Sequence, residues 1–233
     1  MSFKFKHFFV DDTNTPMKVG IDAVLLGAWA DASNCRKILD VGAGSGIVSL
    51  MLAQRFPNVE IISSVEVNPN AYKDCLTNFK NSIWRNKLNA LLGDFTKIDL
   101  SDKFDLIISN PPFFDSGTSN VNVGRELSRK NEFLPMNIFL AKSTNVLNDK
   151  GEIYVIYPYN QRESLIKHAM LTGLYIIKEL KIRDNDKVDF KRIILAFGKN
   201  KPSGEVYSQI LSIKSTNGSY TDNFKKLTSD FYL

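Results

Sequence analysis

Two stretches of the 233-residue chain carry side chains whose types and spacing point to chemistry. The first is Ser109-Asn110-Pro111-Pro112-Phe113-Phe114, which follows directly on the apolar run from Phe104 to Ile108. Consecutive prolines donate no ladder hydrogen bonds and hold φ near about −65°, so a strand must end there and the backbone beyond it stiffens. An amide side chain, Asn110, is thereby set on a rigid mount. The second stretch is Leu-Asp-Val-Gly-Ala-Gly-Ser-Gly from Leu39 to Gly46, with a carboxylate, Asp40, just ahead of three alternating glycines.

Glycines between a strand and the helix it feeds permit a tight turn and let a ligand approach the backbone, while the helix N-terminus offers free N–H groups. Gly42, Gly44 and Gly46 are spaced G-x-G-x-G, unlike the G-x-G-x-x-G of dinucleotide folds. Asp40 would repel a pyrophosphate but suits a cationic ligand with an amino-acid end. That favours S-adenosylmethionine over NAD, although a glycine-rich strand-to-helix turn can also be merely a turn. Glu66 closes the next apolar run, where an acid accepts hydrogen bonds from a ribose diol, and Asp94 closes the third, where it or its neighbours meet an adenine amine. Each acid alone would pass for a helix cap; three sites in order at successive strand ends form a constellation.

The elements that must position these groups alternate along the chain. Apolar runs at KILDVG, EIISSVEV, NALLGD, FDLIISN and EIYVIYP are separated by amphipathic stretches, with helices expected over about 46–55, 69–81, within 134–147 and over about 161–171. Such alternation argues for right-handed βαβ units in a parallel sheet covered on both faces. The last two strands, YIIKELKIR and RIILAFGK, are joined without a helix and should form an antiparallel hairpin at one edge. The expectation is an α/β, Rossmann-like, seven-stranded, mostly parallel sheet with helices on both faces. One domain is expected over 1–233: an N-terminal accessory element over 1–36, a catalytic core over 37–199 and a C-terminal accessory segment over 200–233. The accessory element holds Val24, Leu25, Ala28 and Trp29 at helical spacing, and EVYSQILSIKS in the C-terminal segment alternates like a strand.

The combination LDVGAGSG, VEVNP, LLGDF and SNPPFF resembles the class I S-adenosylmethionine-dependent methyltransferases that modify exocyclic or amide nitrogens, whose signature is (Asn/Asp/Ser)-Pro-Pro-(Tyr/Phe/Trp). The resemblance implies a catalytic set of Asn110, Pro111, Pro112 and Phe113. An aromatic amine is a poor nucleophile because its lone pair is spread into the ring. If Asn110 Oδ1 and the Pro111 carbonyl accept its two N–H bonds, they favour a pyramidal nitrogen and stabilise the positive charge that develops on it. The prolines keep reorganisation small, and Phe113 offers a face on which a planar base can stack.

Met17–Ala30 (MKVGIDAVLLGAWA), SNPPFF and the closing YTDNFKKLTSDFYL together resemble the bacterial tRNA(Val) (adenine-N6)-methyltransferase family over nearly the whole chain. That resemblance implies an adenosine beside the anticodon as substrate and tRNA as partner. It places MKV-x-x-D at the entrance to the cofactor site, so Lys18 and Asp22 are candidates for cofactor contact, against a surface lysine and a helix cap. An anticodon loop lowers the cost of unstacking the target base. Lys4 and Lys6, then Arg125, Arg129 and Lys130, and finally Lys225 and Lys226 are candidates to track phosphates, each weighed against an ordinary solvated charge. The segment DSGTSNVNVGRELSRK has the composition and position of a lid over the bound base.

Composition narrows the rest. With 43% hydrophobic and 24% charged residues the chain has the makings of a globular core, and it holds no apolar run of the length a membrane span needs, so a cytoplasmic protein is expected. Two cysteines, Cys35 and Cys75, and two histidines, His7 and His168, give neither a disulfide framework nor metal-ligand spacing. The net charge of +5 suits an anionic partner without demanding one. The competing readings are methylation of another nitrogen (DNA adenine, ribosomal guanine or a protein glutamine) and a noncatalytic RNA-binding protein.

Overall fold

The structure, a computed structural model, describes residues 2–111 and 134–232. A short antiparallel pair, β1 (Ser2–Lys4) and β2 (Phe9–Asp11), opens the chain and is followed by helix α1 (Ile21–Trp29). Then come β3 (Lys37–Val41), α2 (Ile47–Arg55), β4 (Ile61–Glu66), α3 (Pro69–Asn81), β5 (Leu88–Leu92) and β6 (Phe104–Ser109). The second half runs α4 (Met136–Val146), β7 (Leu147–Pro158), α5 (Arg162–Leu171), β8 (Tyr175–Arg183), β9 (Arg192–Gly198), β10 (Tyr207–Ser212) and α6 (Asp222–Thr228).

The main sheet has the order β10-β8-β9-β7-β6-β3-β4-β5. Strands β5, β4, β3, β6 and β7 are parallel, and β9 lies antiparallel between β7 and β8. This is the expected Rossmann-like sheet with two corrections. It has eight strands, not seven, because β10 pairs parallel with β8 from Tyr207 opposite Lys178 to Ser212 opposite Arg183. The β8–β9 hairpin is consequently not the edge. Residues 93–103, which connect β5 to β6, contain turns and no helix.

Alternate residues of the central strands enter two separate cores. Ile38, Ile62, Leu106, Ile108, Tyr154 and Ile156 pack under α1, α2 and α3, whereas Leu39, Val65, Ile107, Ile153, Val155 and Tyr157 pack under α4 and α5. Burial on both faces explains why these strands read as nearly continuous apolar runs. Helix α3 starts where it does because the Asn68 side chain accepts hydrogen bonds from the N–H groups of Asn70 and Ala71, with Pro69 at the first helical position. Helix α2 is capped by Gly46 in the left-handed region at φ +83°.

Candidate active site

Register decides what meets at the carboxyl edge of the sheet. Val41 on β3 lies opposite Ser109 on β6 and opposite Val65 on β4, so the glycine turn, Glu66 and Asn110 all emerge at one rim. Ser109 locks the junction by donating from its hydroxyl to the Val41 carbonyl at 2.7 Å. The turn itself hangs on β4: the N–H groups of Gly42 and Ala43 both donate to the Val65 carbonyl, at 2.8 and 3.2 Å. A cavity of about 250 Å³ opens there, lined by Asp40, Gly42, Gly44, Glu66 and Asn110 and walled by residues 15–20 and Asp22 of the N-terminal element.

The three glycines separate into two roles. At Gly42 a Cβ would meet nothing within 4 Å, and at Gly44 only Thr15 Cγ2 at 3.9 Å, so this backbone faces open space. Gly46 does not line the cavity; its Cβ would stand 2.5 Å from Phe79 Cε1 and 2.9 Å from Cys75 Sγ. Its lack of a side chain lets α2 and α3 approach each other.

Asp40 is 1% exposed and accepts the Ser49 hydroxyl at 2.7 Å, with Ser49 also bonded to Ser64. Burial pushes its carboxyl up to about 7, the charge of Glu66 adds to the rise, and the Ser49 hydrogen bonds oppose it. Glu66 braces the turn: one oxygen accepts the Gly44 N–H at 2.7 Å and the other the Asn68 N–H at 2.8 Å. Asp94 lies outside the cavity lining, where its carboxylate accepts the Thr96 hydroxyl and N–H and pairs with Lys97 at 3.0 Å. The hydrogen bond from the Thr96 hydroxyl is the main reason its pKa falls below the usual value.

Lys18 and Asp22 do reach the cavity, each with a protein partner as well. Lys18 Nζ donates to the carbonyls of Asp12 at 2.5 Å and Thr13 at 3.1 Å, and Arg192 Nε donates to Asp22 at 2.9 Å, tying α1 to the first residue of β9. Asn110 lines the cavity and the adjoining Pro111 is buried. Pro112, Phe113, Arg125, Arg129 and Lys130, with the expected lid, fall outside the described residues. Lys4 sits over the exposed ring of Phe9 at 5.8 Å, Lys6 donates to the Ser229 carbonyl at 2.7 Å, and Lys225 pairs with Asp222 at 3.7 Å; none of these lines the cavity. Sequence reasoning missed the wall residues Thr15 and Pro16, whose chemistry is unremarkable and whose place is set only by the fold.

These residues fit S-adenosylmethionine. Two glycines leave the backbone open where a Cβ would intrude, and a buried carboxylate that pairs with no cation among the described residues shares the cavity with a second acid at the end of the neighbouring strand. Comparison with known proteins agrees. The family model described as "Methyltransferase small domain" matches residues 22–180. The chain belongs to that family. It is 38% identical to a tRNA1(Val) (adenine(37)-N6)-methyltransferase of Actinobacillus pleuropneumoniae, over 99% of this chain and 97% of the relative. Proteins of the same name from Trichodesmium erythraeum and Haemophilus influenzae are each 36% identical, over 99% of this chain and 97% and 98% of theirs. Among solved structures, a predicted O-methyltransferase from Agrobacterium tumefaciens superposes with a TM-score of 0.67 at 18% identity, covering 90% of this chain and 96% of that one. A TehB-like SAM-dependent methyltransferase from Corynebacterium glutamicum gives 0.51 at 18% identity over 78% and 89%. Those two likenesses speak for the fold. Among the described residues no cluster of His, Cys, Asp and Glu could hold a metal ion, and no helix is long and apolar enough to cross a membrane.

Proposed function

We propose that this family member transfers a methyl group from S-adenosylmethionine to the exocyclic N6 of an adenosine in tRNA, the adenosine beside the anticodon of a valine tRNA. The observation that carries the reading is the convergence of Asn110 with Asp40, Gly42, Gly44 and Glu66 on one cavity, in a chain 36–38% identical over nearly its full length to relatives of that named activity. A tRNA substrate places the protein in the cytoplasm.

Each residue then has a task. Gly42 and Gly44 leave room for the cofactor against the backbone, Asp40 meets its cationic amino-acid end, and Glu66 holds the turn in shape while offering its carboxylate toward the ribose. Lys18 and Asp22 border the entrance. When bound, S-adenosylmethionine supplies an electrophilic methyl group. Asn110 Oδ1 and the Pro111 carbonyl accept the two N6–H bonds of the adenine, favour the pyramidal nitrogen and stabilise the charge that grows on it. Because Ser109 is pinned to Val41 and Pro111 is rigid, the acceptors need little reorganisation. Phe113 supplies the stacking face and Pro112 stiffens its approach. Arg125, Arg129 and Lys130, with Lys4 and Lys6, supply positive charge along the tRNA backbone.

Methyl transfer from labelled S-adenosylmethionine to bulk tRNA, taken from a strain lacking the gene and analysed by nucleoside mass spectrometry, tests the proposal. Native protein should make N6-methyladenosine in a valine tRNA, and Asn110→Ala should not. Label confined to protein or DNA would overturn the tRNA assignment.

A further inference from the structure

Two polar side chains on the buried face of α3 serve neither the core nor the cavity lining. Asp74 and Asn78, one helical turn apart, are each 4% exposed among Ala71, Cys75 and Phe79. Buried polar groups are tolerated when their hydrogen bonds are made, and theirs are made almost entirely to one segment. Asp74 Oδ2 accepts the N–H groups of Asn14 and Thr15 and the Thr15 hydroxyl, and Oδ1 accepts the Asn14 side-chain amide, all at 2.8 Å. Asn78 Oδ1 accepts the Asp11 N–H at 2.9 Å, while its Nδ2 donates to the Asp11 carbonyl at 2.8 Å and to the Ser45 carbonyl at 2.9 Å.

Residues 11–15 are therefore strapped to α3, and the chain beyond them, residues 15–20, is one wall of the cavity. The strap is braced within itself as well, since Asp12 Oδ2 accepts the Val19 N–H at 3.0 Å. Asn78 does something further: with one amide it joins the strap, at Asp11, to Ser45 in the glycine turn. Thr15 Cγ2 comes within 3.9 Å of the place where a Cβ on Gly44 would stand, so the two sides face each other closely.

We propose that Asp74 and Asn78 are positioning residues for S-adenosylmethionine: from outside the cavity they clamp the N-terminal strap against the glycine turn and hold the cofactor cavity in its binding-competent shape. The proposal rests on the cofactor reading above. A site competent only part of the time binds more weakly in proportion to that fraction, so a strap in place a tenth of the time raises the dissociation constant about tenfold. Asp74→Asn, nearly isosteric, would turn an N–H donor toward donors of Asn14 or Thr15. Asn14→Ala removes one of the four bonds to Asp74 from an exposed position and keeps the fold intact.

The test combines calorimetry of S-adenosylhomocysteine binding, amide hydrogen exchange over residues 11–20 and steady-state kinetics. Asp74→Asn should bind about tenfold more weakly and Asn14→Ala about threefold, with faster exchange in the strap. The cofactor KM should rise by the same factors while kcat at saturation changes less than about twofold. A fall in melting temperature with affinity unchanged would overturn the proposal, as would faster strap exchange without weaker binding. If Asp74→Asn does not fold, Asn14→Ala carries the same decision. Native protein that fails to bind S-adenosylhomocysteine would overturn the cofactor reading itself, whereas native binding with unaltered variants overturns the clamp alone.

Discussion

Cofactor affinity should fall as pH drops below neutrality, and Asp40 sets the amount. Its carboxyl is buried and titrates at about 7, so in the free protein the ionised form that a cationic ligand needs is scarce in mild acid. With that value, about 3% of molecules hold the carboxylate at about pH 5.5 and about three quarters at about pH 7.5, a ratio of about 25, or about 2 kcal/mol in binding. An α-amino group on the ligand, titrating near about 8, stays largely protonated across that window. Calorimetry with S-adenosylhomocysteine should therefore show about 25-fold weaker binding at the lower pH. Near the acid end each binding event should release close to one proton, read from buffers of different ionisation enthalpy. Asp40→Asn should flatten the profile. A native profile that changes less than about threefold, or an Asp40→Asn profile with the native slope, would refute the assignment of Asp40 to the ligand's cationic end.

The same carboxyl makes the ligand-free protein pH-sensitive in stability. Because its folded pKa lies above the ordinary aspartate value of 3.8, its contribution is fully present below about 3.8 and is lost as pH rises through about 7; melting temperatures across that range check this, with Asp40→Asn as control. Gly46→Ala combines left-handed strain with overpacking against Phe79 and Cys75 and should cost about 2–5 kcal/mol in denaturant unfolding, whereas Gly42→Ala, strained but uncrowded, should cost about 1–2 kcal/mol. Asn110→Ala should lower kcat about 100- to 1000-fold in single-turnover transfer to tRNA, with the melting temperature unchanged.

The parallel core was legible because its strands are buried on both faces and so read as continuous apolar runs, and because Pro69 and Asn68 mark the start of α3 in plain sequence. The eighth strand was visible as alternation in Tyr207–Ser212, but which neighbour a strand joins is decided by packing across the whole sheet and leaves no local trace. β1 and β2 were missed because strands of three residues, Ser-Phe-Lys and Phe-Val-Asp, are too short for alternation to show. Asn110, Asp40 and Glu66 were found through their place at strand ends, since strand ends in a parallel sheet share a rim. Asp94 sits at such an end too, but its side chain is taken by Thr96, a local turn that strand position does not reveal. The clamp did leave a signal: Asp74 and Asn78 interrupt the apolar face of α3 at helical spacing, the pattern of polar groups buried for a partner.

The strand pair at the start of the chain is held by residues more than two hundred positions away. The Lys6 N–H donates to the Phe231 carbonyl at 2.9 Å, Lys6 Nζ reaches Ser229 across 223 positions, and Phe5 stacks on Tyr232 with centroids 6.2 Å apart. At synthesis rates of about 5–20 residues per second, roughly 10–45 s separate the making of Phe5 and Lys6 from that of these partners. Until then the segment leading into residues 15–20 has only its nearer anchorage, the side chains of Asp74 and Asn78 on α3. The approach to the cavity wall is thus anchored first through a helix close by in sequence and only later through residues 229–232.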